Sequence, residues 1–285
     1  MVTPTNSITP MQVSEVTVIR STGREPLFTF RSLWEYGDLL RLLLWRRINL
    51  RYQHTLVGLG WAILQPFATT LVFVVIIPRL TSAPSSGVPY PLFAYTGLAP
   101  WLYFTGALTR ASNCLVDSAD LLSSVFFPRI LLPLVAVLEA LVDFAVVCGA
   151  LMLFMVLYGV TPAPMLLLSF VFVLMAFAAA LGLGLSLSVL HVRYRDVSFI
   201  VQFLLQLGLI LNPICYSIRI FHQPWRALAG LNPMFGVVAG FRWAILGVDP
   251  PGWRMELLSA AVALALLGLG LRTFHARQEG ISDVL

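Results

Sequence analysis

Two carboxylates, Glu139 and Asp143, stand four residues apart inside a long apolar run. A helix would set both on one face. Acids at membrane depth are costly, face a bundle interior, and mark function unless something pairs them. They could serve as a proton relay or as members of a structural ion pair. No relay partner accompanies them, which favours a structural role: pairing with an arginine (Arg129 stands at the start of the same run) or a position near enough to the surface to be hydrated. Amides come next: Gln65, Gln202, Gln206 and Asn212 also lie in apolar sequence. They can bond across helices or to sugar hydroxyls, and interhelical bonding is the simpler expectation. Aromatic residues make up 12% of the chain. Phe67, Trp101, Tyr103, Phe104 and Tyr216 read most simply as an interfacial belt. The sharper expectation is that some line a glycan channel, because flat rings pack against the apolar faces of sugars.

The chemistry that is missing narrows the function further. There is no lysine anywhere in the chain, so neither a standard P-loop nor a lysine Schiff base can exist here. Cys114, Cys148 and Cys215 are far apart and show neither disulfide nor zinc spacing. His54, His191, His222 and His275 are isolated, so no metal site and no catalytic cluster is expected. A membrane-bound glycan-modifying enzyme would need such a cluster at one membrane face.

The elements that must position these residues are set by composition. Of 285 residues, 59% are hydrophobic and 11% charged, against roughly 25% charged in a soluble domain. Part of the solvent must therefore be lipid. The expected fold is all-α: residues 1–30 form a mobile cytoplasmic arm and 31–285 a membrane domain. Residues 31–51 form an amphipathic helix lying in the interface, with Arg47 alone on its apolar side. Judged against about 20 apolar residues per crossing, six transmembrane helices follow near 59–77, 92–108, 130–158, 165–190, 197–218 and 255–274. Pro133 predicts a tilt or kink in the third.

The stretch Ala227 to Leu246 is apolar but broken by Asn232-Pro233, Gly236, Gly240 and Arg242. It reads as a re-entrant helical pair before the last span, and irregular backbone at that depth must line protein or a water-filled cavity. With both termini cytoplasmic, 13 arginines fall inside and 5 outside, which agrees with the positive-inside rule. Between the second and third spans, RASNCLVDSADLLSSVFFPR (Arg110 to Arg129) is short and amphipathic. It cannot hydrolyse ATP, but it can dock against a subunit that does.

The chain resembles the permease subunits of polysaccharide-export ABC transporters, which move O-antigen, capsule or teichoic-acid chains. The resemblance rests on WEYGDLLRLLLWRRINLRYQHTLVGLGWAILQPF (Trp34 to Phe67), VPYPLFAYTGLAPWLYF (Val88 to Phe104), FFPRILLP (Phe126 to Pro133), HVRYRDV (His191 to Val197) and LNPMFGVVAGFRWAILG (Leu231 to Gly247), in family order. The tail HARQEGISDVL is similar to the family's acidic C-terminus. Departures are Ser123-Ser124 where a lysine is common, Gly37 where a charge is common, and His191 where asparagine is common.

The resemblance implies a bacterial inner-membrane homodimer with two ATP-binding-cassette subunits. ATP and magnesium would be held by those partners and no cofactor by this chain; no nucleic acid is involved. It implies that Asp117, Ser118, Ala119, Asp120, Leu121, Leu122, Ser123 and Ser124 form a coupling helix received by the ATPase. The loop Arg193, Tyr194, Arg195 and Asp196 would sit on the same side. Asn212, Pro213, Asn232, Pro233 and Arg242 would belong to an outer re-entrant gate over a path for a polysaccharide or lipid-linked glycan. The competing expectation is a proton-coupled lipid or drug transporter working through Glu139 and Asp143.

Overall fold

The computed structural model describes residues 36–52, 58–80, 87–124, 127–222 and 225–277. The elements below belong to the unit Gly37–Leu285. The arm 1–30, residues 31–35 of the expected interfacial helix, and 278–285 of the acidic tail lie outside the described residues.

Ten α-helices are described: α1 Gly37–Tyr52, α2 Gly58–Leu80, α3 Tyr90–Asn113, α4 Ala119–Ser124, α5 Leu131–Leu157, α6 Ser169–Arg193, α7 Val197–Leu211, α8 Trp225–Leu228, α9 Pro233–Leu246 and α10 Trp253–Arg277. Short 3-10 turns at Leu166–Leu168, Ile218–Ile220 and Ala229–Leu231 precede or join them. No strand occurs among the described residues.

Among the described residues, three helical stretches are long and apolar enough to cross a membrane: Leu131–Leu157, Leu166–Arg193 and Trp253–Arg277. The apolar stretches Leu64–Ile76 and Val197–Leu211 are shorter. At 1.5 Å per residue, the 15-residue α7 reaches only about 22 Å, less than the ~30 Å hydrocarbon core. It stops at Leu211, not near 218, because Asn212 turns extended ahead of Pro213 (φ −84°, ψ 150°), and proline disfavours helix in the residue before it. Pro133 is the third residue of α5. It sits in the first turn, where a missing N–H removes no intrahelical bond.

α3 is the centre of the fold. Every residue from Leu92 to Trp101 is buried, and the helix packs against α2, α5, α6, α7 and α9. Its mixture of aromatic, small and hydroxyl residues suits protein neighbours on all sides better than lipid. α10 crosses α6 so closely that their backbones touch. A Cβ on Gly270 would lie 2.1 Å from the Gly182 carbonyl oxygen. Small residues at such crossings are how apolar helices gain packing inside a membrane.

The stretches Trp225–Leu231 and Pro233–Leu246 meet at 111°. Asn232 makes the corner: its side chain accepts a hydrogen bond from the Met234 N–H at 3.1 Å, capping α9, while Pro233 supplies the first helical residue. α9 ends on Gly247 in the left-handed region (φ 71°), which glycine enters without a Cβ penalty.

Candidate functional site

The polar residues gather at two places along α3. The first is at its C-terminal end. Arg110 stands in the last turn and reaches α5, where its Nη2 makes a short hydrogen-bonded ion pair with Asp143 Oδ2. Its Nη1 lies 3.8 Å from Glu139 Oε1. From α1, Arg47 Nη1 lies 3.9 Å from Glu139 Oε2, and Arg47 Nη2 donates to Ser118 Oγ at 3.1 Å. One line of contacts, Ser118–Arg47–Glu139–Arg110–Asp143, thus joins α1, the turn before α4, α3 and α5.

These side chains are largely withdrawn from solvent, with Glu139 only 10% exposed. Two arginines balance two acids, so none of the four charges is left uncompensated in a poor dielectric. The sequence pointed to an arginine partner or a hydrated position, with Arg129 at the start of the span; the structure brings Arg110 and Arg47 to these acids. Arg47 is the residue that interrupts the apolar side of α1. That side, with Leu40, Leu43 and Leu44, faces the protein, whereas Leu42 and Trp45 are 63% exposed. What looked like a flaw in amphipathicity is the residue that reaches the ion network.

The stretch Asp117 to Ser124 leaves this network as a turn and the six-residue α4. Asp117 and Asp120 are exposed, and the side chains of Ser123 and Ser124 lie outside the described residues. The second expected docking loop starts at the C-terminal end of α6. Arg193, Tyr194, Arg195 and Asp196 are all exposed. His191, just before them, is buried and its Nδ1 lies 3.3 Å from the Ser112 carbonyl oxygen of α3. Both loops are therefore rooted at the same end of α3. Cys114, in the turn between, is fully buried, and burial pushes its thiol well above the ordinary range, so it packs as a neutral side chain.

The second gathering is near the other end of α3. Asn232 Nδ2 donates to Asn212 Oδ1 at 3.1 Å, which ties the two Asn-Pro corners directly together. Arg242 of α9 is 1% exposed. Its Nη2 donates to the Ile214 carbonyl at 2.7 Å and its Nε to the Phe93 carbonyl at 3.2 Å. Its guanidinium carbon lies 3.8 Å from the centre of the Phe93 ring, a cation–π contact strengthened by desolvation. Gly97 makes the room, since a Cβ there would meet Arg242 Nη2 at 2.1 Å. Asn212, Pro213, Pro233 and Arg242 are buried and Asn232 half-buried, with Arg242 making the link to α3.

Beside it, Asp249 holds a left-handed backbone (φ 53°). It accepts a hydrogen bond from Ser217 Oγ and pairs with Arg219 Nε at 2.7 Å. No sequence signal beyond the Pro250-Pro251 turn marked Asp249.

The aromatic candidates divide differently from expectation. Trp101, Tyr103 and Phe104 are at most 5% exposed and hold α3 to its neighbours. Trp101 lies over Gly208 of α7, and the rings of Tyr103 and Phe144 are 5.4 Å apart. Phe67 sits 4.6 Å from the Phe154 ring. Tyr216 donates its hydroxyl to the Leu211 carbonyl at 2.8 Å. Of the amides, Asn212 makes the interhelical bond. Gln202 and Gln206 are exposed on the side of α7 turned away from α3, together with Phe199 and Phe203. Among the described residues, no group of three His, Cys, Asp or Glu could hold a metal ion.

Residues 38–246 match the sequence profile of the ABC-2 type transporter family. The chain is 28% identical over 256 residues to the O-antigen export system permease protein RfbA of Myxococcus xanthus, covering 89% of this chain and 97% of that protein. It is 24% identical over 252 residues to an O-antigen export system permease protein RfbA of Klebsiella pneumoniae, covering 87% and 95% respectively.

Proposed function

Because this chain belongs to the ABC-2 type transporter family, we propose that it is the permease subunit of an ABC exporter carrying an O-antigen-like polysaccharide or lipid-linked glycan across the bacterial inner membrane. ATP and magnesium are held by a separate subunit, and the working unit is a homodimer of this chain with two such ATPases. The near full-length similarity to two O-antigen export permeases supports the cargo class.

One observation carries the mechanism. α3 bears the roots of both docking loops at one end and the Arg242 cluster near the other. From Phe93 to Arg110 the helix runs about 26 Å at 1.5 Å per residue, most of a bilayer core. A displacement of the loop at Asp117 to Ser124 is delivered to α1, α3 and α5 through Arg47 and Arg110. α3 carries it to the bent pair that Arg242 clamps. In this reading α2, α3 and α7 complete six crossings with both termini cytoplasmic, and the bent pair is the re-entrant outer gate. The exposed apolar faces of α2 and α7 suit contact with the second copy and the glycan path. Glu139 and Asp143, held by arginines, suit a transmission role better than a proton relay.

Asp117→Arg and Asp120→Arg test the coupling step. Both side chains are exposed, so insertion and folding should be unaffected. Export, and the stimulation of ATP hydrolysis that accompanies it, should fall at least about tenfold, the effect of 1.4 kcal/mol lost at a contact. Wild-type export by both variants would remove this loop from the mechanism.

A further inference from the structure

We propose that the cavity between α2, α3 and α5 is a subsite for neutral polyhydroxyl groups, taking one sugar unit of the exported glycan. The assignment rests on the export reading and adds to it a specific contact site. The cavity has a volume of about 140 Å³, several times the ~30 Å³ share of one water. Its lining includes Gln65 of α2, Tyr103 and Arg110 of α3, and Asp143 and Phe144 of α5. Tyr103 and Arg110 are seven residues apart, so they project from one face of α3.

Two of these polar groups lack a hydrogen-bond partner. Tyr103 is 3% exposed and its hydroxyl bonds nothing. Arg110 Nη1 is equally without a hydrogen bond, although it lies 3.8 Å from the Glu139 carboxylate. Gln65 stands exposed at the mouth with an amide that can both give and accept. Buried donors and hydroxyls left unmade are costly, and a guest with oxygens at those points removes the cost.

The chemistry of the walls selects among guests. Arg110 and Arg47 are matched by Asp143 and Glu139, so the site has no net positive charge to draw a phosphate. Donors and acceptors are mixed, as hydroxyl groups require. The rings of Tyr103 and Phe144, 5.4 Å apart and inclined at 53°, offer apolar surface to the C–H edges of a sugar. A passing unit would also lie directly against the Arg110–Asp143 pair. Cargo would then be felt by the same contacts that connect to the docking loop.

The test uses the full chain with its ATP-hydrolysing partner in lipid nanodiscs. The probe is the polymer cut by mild acid from the surface glycan of cells that make the transporter. Tyr103→Phe keeps the ring and removes the hydroxyl; Gln65→Leu changes only the exposed mouth and leaves the packed core alone. Each should weaken polymer binding about tenfold, the loss of one hydrogen bond of roughly 1.4 kcal/mol. Inorganic phosphate should not compete. Wild-type affinity in both variants, or competition by phosphate, overturns the assignment. So does a wild-type complex that binds no polymer while its cells still export it, which would leave only ordered water in the cavity. Cells that carry wild-type chain and partner yet display no glycan would instead overturn the export reading itself.

Discussion

Arg110→Gln is expected to strip most of the protein from the membrane. Arg110 contacts both acids of α5, and its replacement removes the guanidinium that balances Asp143. Breaking one side of a buried pair costs roughly 3–5 kcal/mol. The partners here are about one-fifth exposed, and Arg47 still faces Glu139, so the lower end, about 3 kcal/mol, applies. That is about a hundredfold in the ratio of folded to unfolded protein. The double variant Arg110→Gln with Asp143→Asn removes the stranded charge together with its partner, and should recover most of the lost protein. Membrane levels by immunoblot and unfolding temperature in detergent check both. Under a proton-relay mechanism the outcome would differ: Asp143→Asn would abolish transport at normal protein level, and Arg110→Gln would leave the amount unchanged.

The second large effect lies at the crossing of α6 and α10. A Cβ added at Gly270 would stand 2.1 Å from the Gly182 oxygen and 2.7 Å from its carbonyl carbon. These are backbone atoms, so no rotamer change relieves the clash and the helices must separate. Even Gly270→Ala should cost about 3 kcal/mol, at the upper end of overpacking penalties. Gly270→Leu should prevent accumulation altogether. Gly268, two residues earlier in the same helix, has nothing within 4 Å of its added Cβ. Gly268→Ala should be neutral or stabilising by up to ~1 kcal/mol, because alanine is the better helix former. Unfolding temperatures of the two alanine variants, compared side by side, separate close packing from propensity. Equal stability of the pair would contradict the observed crossing.

Much of this architecture is legible in the sequence. Apolar length placed α5, α6 and α10 to within a few residues, since in lipid the run itself is the signal. Asn212-Pro213 and Asn232-Pro233 marked the breaks, because proline dictates local backbone whatever surrounds it. The hydrogen bond between those two corners could not be read, because it joins residues twenty apart across a loop. Arg110 was visible only as a topology charge, although the Glu139–Asp143 spacing called for a base. Nothing local says which of several arginines a helix packing will bring to an acid. Aromatic content was the least informative feature. The same rings that suit an interfacial belt or a sugar path also suit a core, and Trp101 went to the core where Gly208 opened space for it.

The central claim is that this chain conducts a glycan only when a separate nucleotide hydrolase drives it. The direct measurement is uptake of purified lipid-linked glycan into inside-out vesicles containing the chain alone, the chain with its ATPase partner, and the pair with ATP and magnesium. Uptake confined to the last preparation, and abolished by a non-hydrolysable ATP analogue, is the predicted result. Equal uptake by the chain alone, with or without a proton gradient, would contradict the account.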